Sequence, residues 1–346
     1  MCGIFGIITS KNSTYSNKFL TESINKLACL SEIRGKDSSG LCAFNQIDRK
    51  IDVIKGPISI RQLLKHEIIK NKISSAFTNK YHARYVFGHA RLVTNGTQLN
   101  DSNNQPTVKD GIIGVHNGIV VNVEDLWKKH SNITRENEID TEVILALIRA
   151  ALNEGKSIEE SVATSIKKVF GTVSVALAFN NLNKFIIATN NGSLYTINNN
   201  KDILFFASEQ FMMAEFERKI NLSQIGDYEL KQINSNRGIV VDLGKFQNNE
   251  FSFEQKKENL SEILFKKRII NLTTIKPNNE QLSAVVDLNY IHLNKKAEKE
   301  QSILEYPIEK IKKLKRCSKC LLPVTFPYII YDEKGECNYC KNYVKK

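Results

Sequence analysis

The sequence predicts an α+β fold, in which helices are segregated from antiparallel strands, followed by a small cysteine-containing module. A short buried strand is predicted at residues 3–9, and an amphipathic helix follows at 18–30. Two apolar runs at 172–179 and 184–189 are separated by a short polar turn and predict a β-hairpin. Two pairs of closely spaced cysteines near the C-terminus indicate a separate small unit.

The remaining elements follow from the same periodicities. Strands are expected at 40–44, 85–90, 111–116, 203–206 and 238–243, and helices near 124–129, 141–152 and 157–170 and from 207–209 onward. Beyond about residue 244 the pattern becomes polar and irregular. We therefore divide the chain into a first domain at 1–243, a connector of uncertain structure at 244–314 and a four-cysteine module at 315–346.

The composition is typical of an intracellular enzyme. A length of 346 residues suits about two domains, and a hydrophobic content of 41% is enough for a full core. No run approaches the ~18 apolar residues of a membrane span, and the N-terminus lacks the layout of a signal peptide. An odd number of cysteines remains outside the C-terminal set, which favours reduced thiols. The sequence thus predicts a cytoplasmic protein without a membrane span.

The net charge of +12 is concentrated late in the chain, in clusters such as 266–268 and 312–316. Basic clusters beside a cysteine module can indicate nucleic-acid binding. Aromatic residues are sparse among them, however, and Lys, Asn and Ile are enriched along the whole sequence. We therefore favour a solvated face or a surface for an acidic partner, and consider nucleic acid unlikely as a partner.

Cys2 directly follows the initiator methionine. Removal of Met1 would leave a residue that carries both a thiol and a free α-amine. Unperturbed thiols titrate near ~8.5 and α-amines near ~7.7–8.0, so at neutral pH the amine is partly unprotonated and can accept the thiol proton. One residue then supplies both a nucleophile and its general base. The alternative is a small apolar residue that opens a buried strand.

Four further motifs follow in order: IRGKDSSG at 33–40, GHARLVTNG at 88–96, HNGIV at 116–120 and DTEVI at 140–144. Together with the early cysteine, this ordered set resembles the glutaminase domain of the class II glutamine amidotransferases, which are N-terminal-nucleophile (Ntn) hydrolases. The resemblance covers about the first two thirds of the chain. It implies a four-layer αββα sandwich and glutamine as the substrate.

The resemblance also implies roles for the residues of these motifs. Cys2 would attack the side-chain amide of glutamine to give a γ-glutamyl thioester, with release of ammonia. The Asn117 side-chain amide and the Gly118 backbone N–H would form the oxyanion hole, a task suited to fixed neutral donors. Read alone, however, Asn117-Gly118 is also a common hairpin turn.

Recognition of the amino-acid end would depend on opposite charges. Arg91 matches the residue that holds the glutamine α-carboxylate, for which a planar guanidinium is well suited. Asp140 matches the partner of the α-ammonium, although it can equally be read as a helix start. Thr94 offers a hydroxyl beside the substrate. Leu92 and Asn95 depart from the commoner family pattern, in which an aromatic residue and a histidine stand there.

Two other charged residues of the first motif, Arg34 and Asp37, are interpreted as a structural ion pair beneath the site. We consider this role more consistent with the motif than direct contact with the substrate.

The C-terminal cysteines have the spacing C-x2-C-x16-C-x2-C, formed by Cys317, Cys320, Cys337 and Cys340. This spacing is typical of a tetrahedral zinc site. Four thiolates leave no position for water, so the metal would be structural. Two disulfides are the main alternative and an iron–sulfur centre a minor one.

The residues around these cysteines, RCSKCLLP at 316–323 and YDEKGECNYC at 331–340, show a second resemblance. They are similar to the N-terminal zinc segment of N-acetyl sugar amidotransferases, which act in bacterial surface polysaccharide synthesis of the pseudaminic and legionaminic acid type. In that family an ATP-pyrophosphatase domain follows, with an SGGxDS phosphate loop. The 346 residues contain no such loop.

We therefore expect a glutaminase that delivers ammonia to an ATP-pyrophosphatase-type synthetase, either a separate chain or a downstream domain. Two alternatives stay open. One is an asparagine-synthetase-like glutaminase with a different acceptor. The other is a non-catalytic scaffold that keeps the Ntn fold and docks through its zinc module.

Overall fold

A computed structural model describes residues 2–45, 50–78, 83–93, 97–255, 262–276 and 308–344. The chain divides into two compact units, Met1–Asn278 and Asn279–Lys346.

The first unit contains fourteen described strands in two sheets. In chain order they are β1 (Gly3–Thr9), β2 (Ser38–Asn45), β3 (Lys50–Gly56), β4 (Arg84–Arg91), β5 (Thr107–Lys109), β6 (Ile112–Val120), β7 (Gly171–Phe179), β8 (Lys184–Thr189), β9 (Leu194–Asn198), β10 (Ile203–Ala207), β11 (Glu229–Ile233), β12 (Arg237–Asp242), β13 (Gln247–Ser252) and β14 (Ile269–Thr274). The larger sheet has the order β11-β9-β10-β1-β4-β2-β3-β14, and the smaller has the order β13-β12-β8-β7-β6-β5. Neighbouring strands are antiparallel except β14, which runs parallel to β3.

The helices of this unit cover the outer faces of the two sheets. They are α1 (Asn17–Ser31), α2 (Ile60–Leu63), α3 (Glu67–Thr78), α4 (Val123–Lys129), α5 (Thr141–Asn153), α6 (Ile158–Lys167) and α7 (Gln210–Lys219). Apolar residues of α1, α3 and α7 pack on the larger sheet, and those of α5 and α6 pack on the smaller one. A third apolar layer lies between the sheets.

Strand alternation explains how one strand serves two layers. In β1, Phe5 and Ile7 belong to the helix-facing core, whereas Ile4 and Ile8 belong to the core between the sheets. The layer order is therefore helix, sheet, sheet, helix. This confirms the α+β fold class and the αββα sandwich that the sequence predicted.

Two strands of this unit lie beyond residue 243, where the sequence pattern becomes polar. β13 pairs with β12 at one edge of the smaller sheet, and β14 pairs with β3 at one edge of the larger sheet. The domain division drawn at 243 stays a prediction, but part of the segment assigned to the connector contributes strands to the sandwich. Among the residues that the structure describes, no helix is long and apolar enough to cross a membrane.

The second unit is described from residue 308 to residue 344. It contains two short helices, α8 (Ile308–Lys312) and α9 (Asn338–Lys341), and two isolated β-bridges, Arg316↔Pro323 and Tyr331↔Cys337. Within 309–344, only Cys317 and Cys337 are buried. The described part of this unit therefore has no apolar core, and its two buried side chains belong to the four-cysteine set.

Candidate active site and four-cysteine cluster

Cys2 lies immediately before β1, which is held between β4 and β10 in the larger sheet. The residue is buried, and its thiol donates to the Leu92 carbonyl oxygen at 3.5 Å. Its backbone nitrogen donates to Asn117 Oδ1 at 2.8 Å. Burial raises the pKa of the Cys2 thiol, so at neutral pH the neutral form dominates. A nucleophilic role for this thiol therefore requires a nearby base.

Asn117 and Gly118 lie inside β6, opposite Ser174 and Val173 of β7. The Asn-Gly pair is thus not a hairpin turn here. Gly118 has φ +154°, and a Cβ at this position would lie 1.8 Å from the Thr172 carbonyl oxygen. Only glycine fits this point of close backbone approach. Because Asn117 Oδ1 accepts from Cys2, the Nδ2 donor of the same amide is directed away from that bond.

Arg91 ends β4 and is buried. Its Nη1 donates to Asn104 Oδ1 at 3.2 Å. Burial lowers the pKa of the guanidinium, and the charges of Cys2, Asp140 and Asp37 oppose that effect. Arg91 and Asp140 also act on the Cys2 thiol: the charge of Arg91 lowers the pKa of Cys2, and the charge of Asp140 raises it. The structure therefore brings the predicted cation, anion and nucleophile together.

Asp140 is buried at the residue before α5, but its side chain does not cap that helix. Its Oδ2 accepts from the Val120 N–H at 3.1 Å, and its Oδ1 lies 3.7 Å from His116 Nδ1. Burial raises the pKa of the carboxyl group, but His116, the Val120 N–H and Arg91 together lower it below the ordinary value. Asp140 is therefore a preformed buried anion, which suits an ammonium ligand.

Thr94, Asn95 and Gly96 lie outside the described residues, so the predicted role of Thr94 stays a prediction. Leu92 is 44% exposed, in contrast to the buried Arg91 beside it.

The first motif supports the strand end that carries Arg91. Asp37 Oδ2 accepts from the Val93 N–H at 2.7 Å, and the Asp37 N–H donates to the Arg91 carbonyl at 3.0 Å. A Cβ on Gly35 would lie 2.1 Å from the Arg91 carbonyl carbon. The prediction of an Arg34–Asp37 ion pair is wrong. Arg34 Nη1 pairs with Glu209 at 2.9 Å, and the Asp37 carboxylate accepts from the Val93 N–H instead.

Sequence reasoning missed two amide side chains that connect these parts. Asn104 supports Arg91, as described above. Gln105 accepts from the His116 N–H at 2.6 Å and donates to the His116 carbonyl and to Thr141 Oγ1, so it joins β6 to the start of α5. The available signal was the run of amides NNQ at 103–105, followed by a proline in a stretch without apolar periodicity.

The four C-terminal cysteines form a cluster whose Sγ atoms all lie within 4.8 Å of one another. Cys317 and Cys340 are 3.9 Å apart, and Cys320 and Cys337 are 3.5 Å apart. Tetrahedral zinc with Zn–S bonds of ~2.3 Å requires S···S distances of ~3.8 Å. All four are free thiols at separations far longer than an S–S bond of ~2.05 Å. The donor set and its spacing therefore fit one tetrahedral metal ion.

Backbone N–H groups surround the Cys317 sulfur. Those of Lys319, Cys320 and Cys337 donate to it at 3.4, 3.5 and 3.3 Å. Burial raises the pKa of Cys317, but these donors outweigh it and lower the pKa to about 6. The thiolate, which is the form that binds metal, is thus favoured at neutral pH.

Residues 89–215 match a family model described as a glutamine amidotransferase domain. The glutamine–fructose-6-phosphate aminotransferase (isomerizing) of Bartonella henselae is 31% identical over 231 residues, which are 66% of this chain and 35% of that protein. The corresponding protein of Buchnera aphidicola is 31% identical over 252 residues, which are 69% of this chain and 38% of that protein. The chain thus spans little more than a third of the length of these curated relatives.

Two solved structures show the same fold. The glutamine phosphoribosylpyrophosphate amidotransferase from B. subtilis, complexed with ADP and GMP, gives a TM-score of 0.53 at 17% identity, over 73% of this chain and 50% of that chain. A structure described as the allosteric regulatory enzyme of purine biosynthesis gives a TM-score of 0.52 at 18% identity. The match covers 73% of this chain and 49% of that chain. At these identities the likeness shows only the fold. The family assignment depends on the matching family model and on the curated relatives. The chain carries a class II glutamine amidotransferase domain with an Ntn-hydrolase fold.

Proposed function

We propose that the first unit hydrolyses glutamine at Cys2 and that the ammonia passes to an acceptor activated by an ATP-dependent synthetase. The observation that carries the proposal is the 2.8 Å bond between the Cys2 nitrogen and Asn117 Oδ1. It fixes the nucleophile beside an amide whose donor end remains available for an oxyanion. The buried charges of Arg91 and Asp140 then offer complementary partners for the two ends of an amino acid.

The chemical steps follow from these groups once Met1 is removed. The Cys2 thiol transfers its proton to the α-amine of the same residue, and Sγ attacks the carbonyl carbon of the glutamine side chain. Asn117 Nδ2 and the Gly118 N–H stabilise the resulting oxyanion. The protonated amine then gives its proton to the leaving nitrogen, which departs as ammonia and leaves a γ-glutamyl thioester. A water molecule, deprotonated by the same amine, releases glutamate and restores the thiol.

The need for the α-amine follows from the electrostatics of the site. The pKa of the Cys2 thiol is raised by burial, so the thiolate fraction is small without a base. The nitrogen that would become the α-amine belongs to the same residue and is held in place by Asn117. Recognition of glutamine would place the α-carboxylate at Arg91 and the α-ammonium at Asp140, with Thr94 as a further hydroxyl.

We assign the acceptor to the sugars, and specifically to an N-acetyl sugar used in surface polysaccharide synthesis. Two features support this. The curated relatives are aminotransferases whose names include a sugar phosphate. The sequence around the cysteine cluster resembles the zinc segment of N-acetyl sugar amidotransferases. The synthetase itself would be another subunit or domain, because these 346 residues carry no phosphate loop of the ATP-pyrophosphatase type.

The cysteine cluster would hold one structural zinc ion through Cys317, Cys320, Cys337 and Cys340. Zinc would supply cross-links between two chain segments and no catalytic step, since the four thiolates complete its tetrahedral shell. Metal analysis of reduced protein is expected to give about one zinc per chain.

The decisive experiment compares glutamate release from glutamine by the purified chain and by Cys2→Ala. We expect turnover in the wild-type protein and none above background in the variant, because the variant lacks the attacking atom. The intact mass of the active protein should lack Met1. Turnover that persists in Cys2→Ala, or active protein that retains Met1, would contradict the mechanism.

A glutamine-like electrophile provides an independent readout. It should label Cys2 in the wild-type chain and leave Cys29 and Cys42 unmodified, since neither lies among the groups that recognise glutamine. If the wild-type chain neither turns over glutamine nor reacts with the electrophile at Cys2, the glutaminase proposal is overturned in favour of a scaffold.

A further inference from the structure

Lys55 is a buried lysine on β3, on the face of the larger sheet that meets the smaller sheet. Its Nζ donates to the Asn104 carbonyl oxygen at 2.5 Å and to the Pro106 carbonyl oxygen at 3.4 Å. Within the described part of the chain, its Nζ binds these two backbone carbonyls and forms no ion pair with a carboxylate. A buried ammonium without an ion-pair partner is costly, so its retention calls for a physical reason.

A second buried lysine shows what a purely structural arrangement looks like in the same protein. Lys109 on β5 also has a buried side chain, but its Nζ pairs with the exposed Glu136 at 2.6 Å and with the buried Glu142 at 3.3 Å. Burial lowers the pKa of Lys109, and the two carboxylates outweigh it and raise the pKa above its usual value. Among the described residues no carboxylate forms an ion pair with Lys55, and burial lowers its pKa to about 8.

The contacts of Lys55 connect it, through Asn104, to the residues predicted to bind glutamine. The carbonyl that it binds most closely belongs to Asn104, and the side chain of the same residue accepts from Arg91 Nη1 at 3.2 Å. The next residue, Gln105, bridges β6 and α5 behind Asn117 and Asp140. Gly40 makes this possible, because a Cβ there would lie 2.3 Å from the Gln105 carbonyl oxygen.

The charges around Lys55 favour an anion in the site. Besides burial, Asp101 raises the pKa of Lys55, and Arg91 on β4 lowers it by a smaller amount. Asp101 is partly exposed and already pairs with Lys276 at 2.9 Å. The register neighbours of Lys55 are Gly40 and Thr274, which carry no charge. A carboxylate bound at Arg91 would relieve the repulsion between the two cations.

We propose that Lys55 is a positioning residue for the glutamine α-carboxylate: it fixes the backbone of Asn104, which orients Arg91, and it adds positive charge behind the Arg91 guanidinium. This inference rests on the proposed glutaminase activity. It predicts that Lys55 acts on the affinity for glutamine and leaves the chemical step at Cys2 unchanged.

The test measures steady-state glutamine hydrolysis by the full chain and by Lys55→Met, Lys55→Gln and Lys109→Met. We expect Lys55→Met to raise KM for glutamine roughly 10-fold and to change kcat less than about 3-fold, since a hydrogen-bonded charge is lost outside the reacting atoms. Lys55→Gln keeps a donor without the charge and should give an intermediate KM. Lys109→Met is the matched control, which should lower Tm but leave KM unchanged.

The pH dependence separates positioning by charge from simple packing. A bound carboxylate favours protonated Lys55, so glutamine affinity is full below the free-protein pKa of about 8 and is lost as the pH rises through it. The KM of the wild-type chain should therefore increase between pH 7 and 9. The KM of Lys55→Met should already be high and should change less over that range.

Each failure has a distinct meaning. If the wild-type chain is active but Lys55→Met keeps the wild-type KM, or loses kcat instead, the role of Lys55 is overturned and the glutaminase stands. Parallel pH profiles for the two proteins would also overturn it. If the wild-type chain does not hydrolyse glutamine, the proposed function fails, and the inference about Lys55 fails with it.

Discussion

The two units of this chain use different means to hold a cysteine in place. The sandwich places Cys2 at the start of a central strand, and three apolar layers support it. Within 309–344 only Cys317 and Cys337 are buried, and many large apolar side chains there, such as Tyr328, are exposed. A unit that buries so little apolar surface needs another source of stability, and a metal ion is the one that its side chains offer.

The same contrast appears in the chemistry of the sulfur atoms. Burial raises the pKa of Cys2, which keeps this thiol neutral until a base acts on it. Burial also raises the pKa of Cys317, but three backbone N–H donors outweigh it and bring the pKa to about 6. Burial therefore keeps the Cys2 thiol neutral, whereas backbone hydrogen bonds favour the thiolate of Cys317.

The largest predicted effect comes from removal of the proposed metal ion. Because the described part of the second unit lacks an apolar core, we expect chelation under reducing conditions to unfold residues 309–344 completely while the sandwich stays folded. Hydrogen exchange measured peptide by peptide should show lost protection at 309–344 only. Labelling of Cys2 by the glutamine-like electrophile should continue at the same rate.

A double variant, Cys317→Ser with Cys337→Ser, should reproduce the chelated state without chelator. Two results would contradict the expected difference in how the two units are stabilised. One is a second unit that keeps its protection after the metal has been removed. The other is a sandwich that loses protection together with it.

The next effect concerns the apolar support of the sandwich. Phe206 on β10 is fully buried between the sheets, with its ring centroid 5.7 Å from that of Phe185. Phe206→Ala should lower the free energy of unfolding by about 3–5 kcal/mol, through lost transfer energy and the cavity left behind. Tyr328→Ala, at a side chain that is 90% exposed, should change it by less than about 0.5 kcal/mol.

Denaturant unfolding of the zinc-loaded chain measures both values. A large loss from Tyr328→Ala would show that this ring is buried against a surface in solution, and the second unit could then not be treated as lacking apolar support. A loss below about 1 kcal/mol from Phe206→Ala would weaken the role assigned to the layer between the sheets.

Strong periodicity made much of the sandwich predictable. The first strand and the hairpin strand at 184–189 were predicted with their observed bounds, and the helix expected at 18–30 extends from Asn17 to Ser31. The missed elements are β3, β5, β9, β11, α2 and α3. The edge strands β13 and β14 were missed as well. In β13 most exposed residues are polar, whereas in β14 the exposed residues are the apolar Ile269 and Leu272, so neither strand shows a period of two.

The candidate site shows a similar division. The sequence indicated Cys2, Arg91, Asn117, Gly118 and Asp140 because they stand in recognisable motifs, and the fold brings them together. Their roles stay predictions. It did not indicate Lys55, Asn104 or Gln105, since their contacts join the loop before β5 to residues on other strands. The amide run at 103–105 marked the segment, but its partners became visible only in the folded structure.

The smallest predicted effect concerns the turn before Cys337. Asp332 Oδ1 accepts from the N–H groups of Lys334 and Glu336 at 2.9 Å each, and Oδ2 pairs with Lys341 at 2.7 Å. Asp332→Ala removes the two acceptor bonds that shape the turn, so we expect zinc affinity to fall by about 5-fold, as for a lost cap. Asp332→Asn keeps the Oδ1 acceptor and loses only an exposed ion pair, so its affinity should change by less than about 2-fold.

Competition with a chelator of known affinity measures both variants of Asp332. Equal losses in the two variants would assign the effect to the charge of Asp332 and its pairing with Lys341. No loss in either would mean that the metal alone orders the segment. The expected ranking, with Ala weaker than Asn, would show that the second unit is held by its metal first and by its turn only to a small extent. The sandwich differs in that three apolar layers hold its strands and helices together.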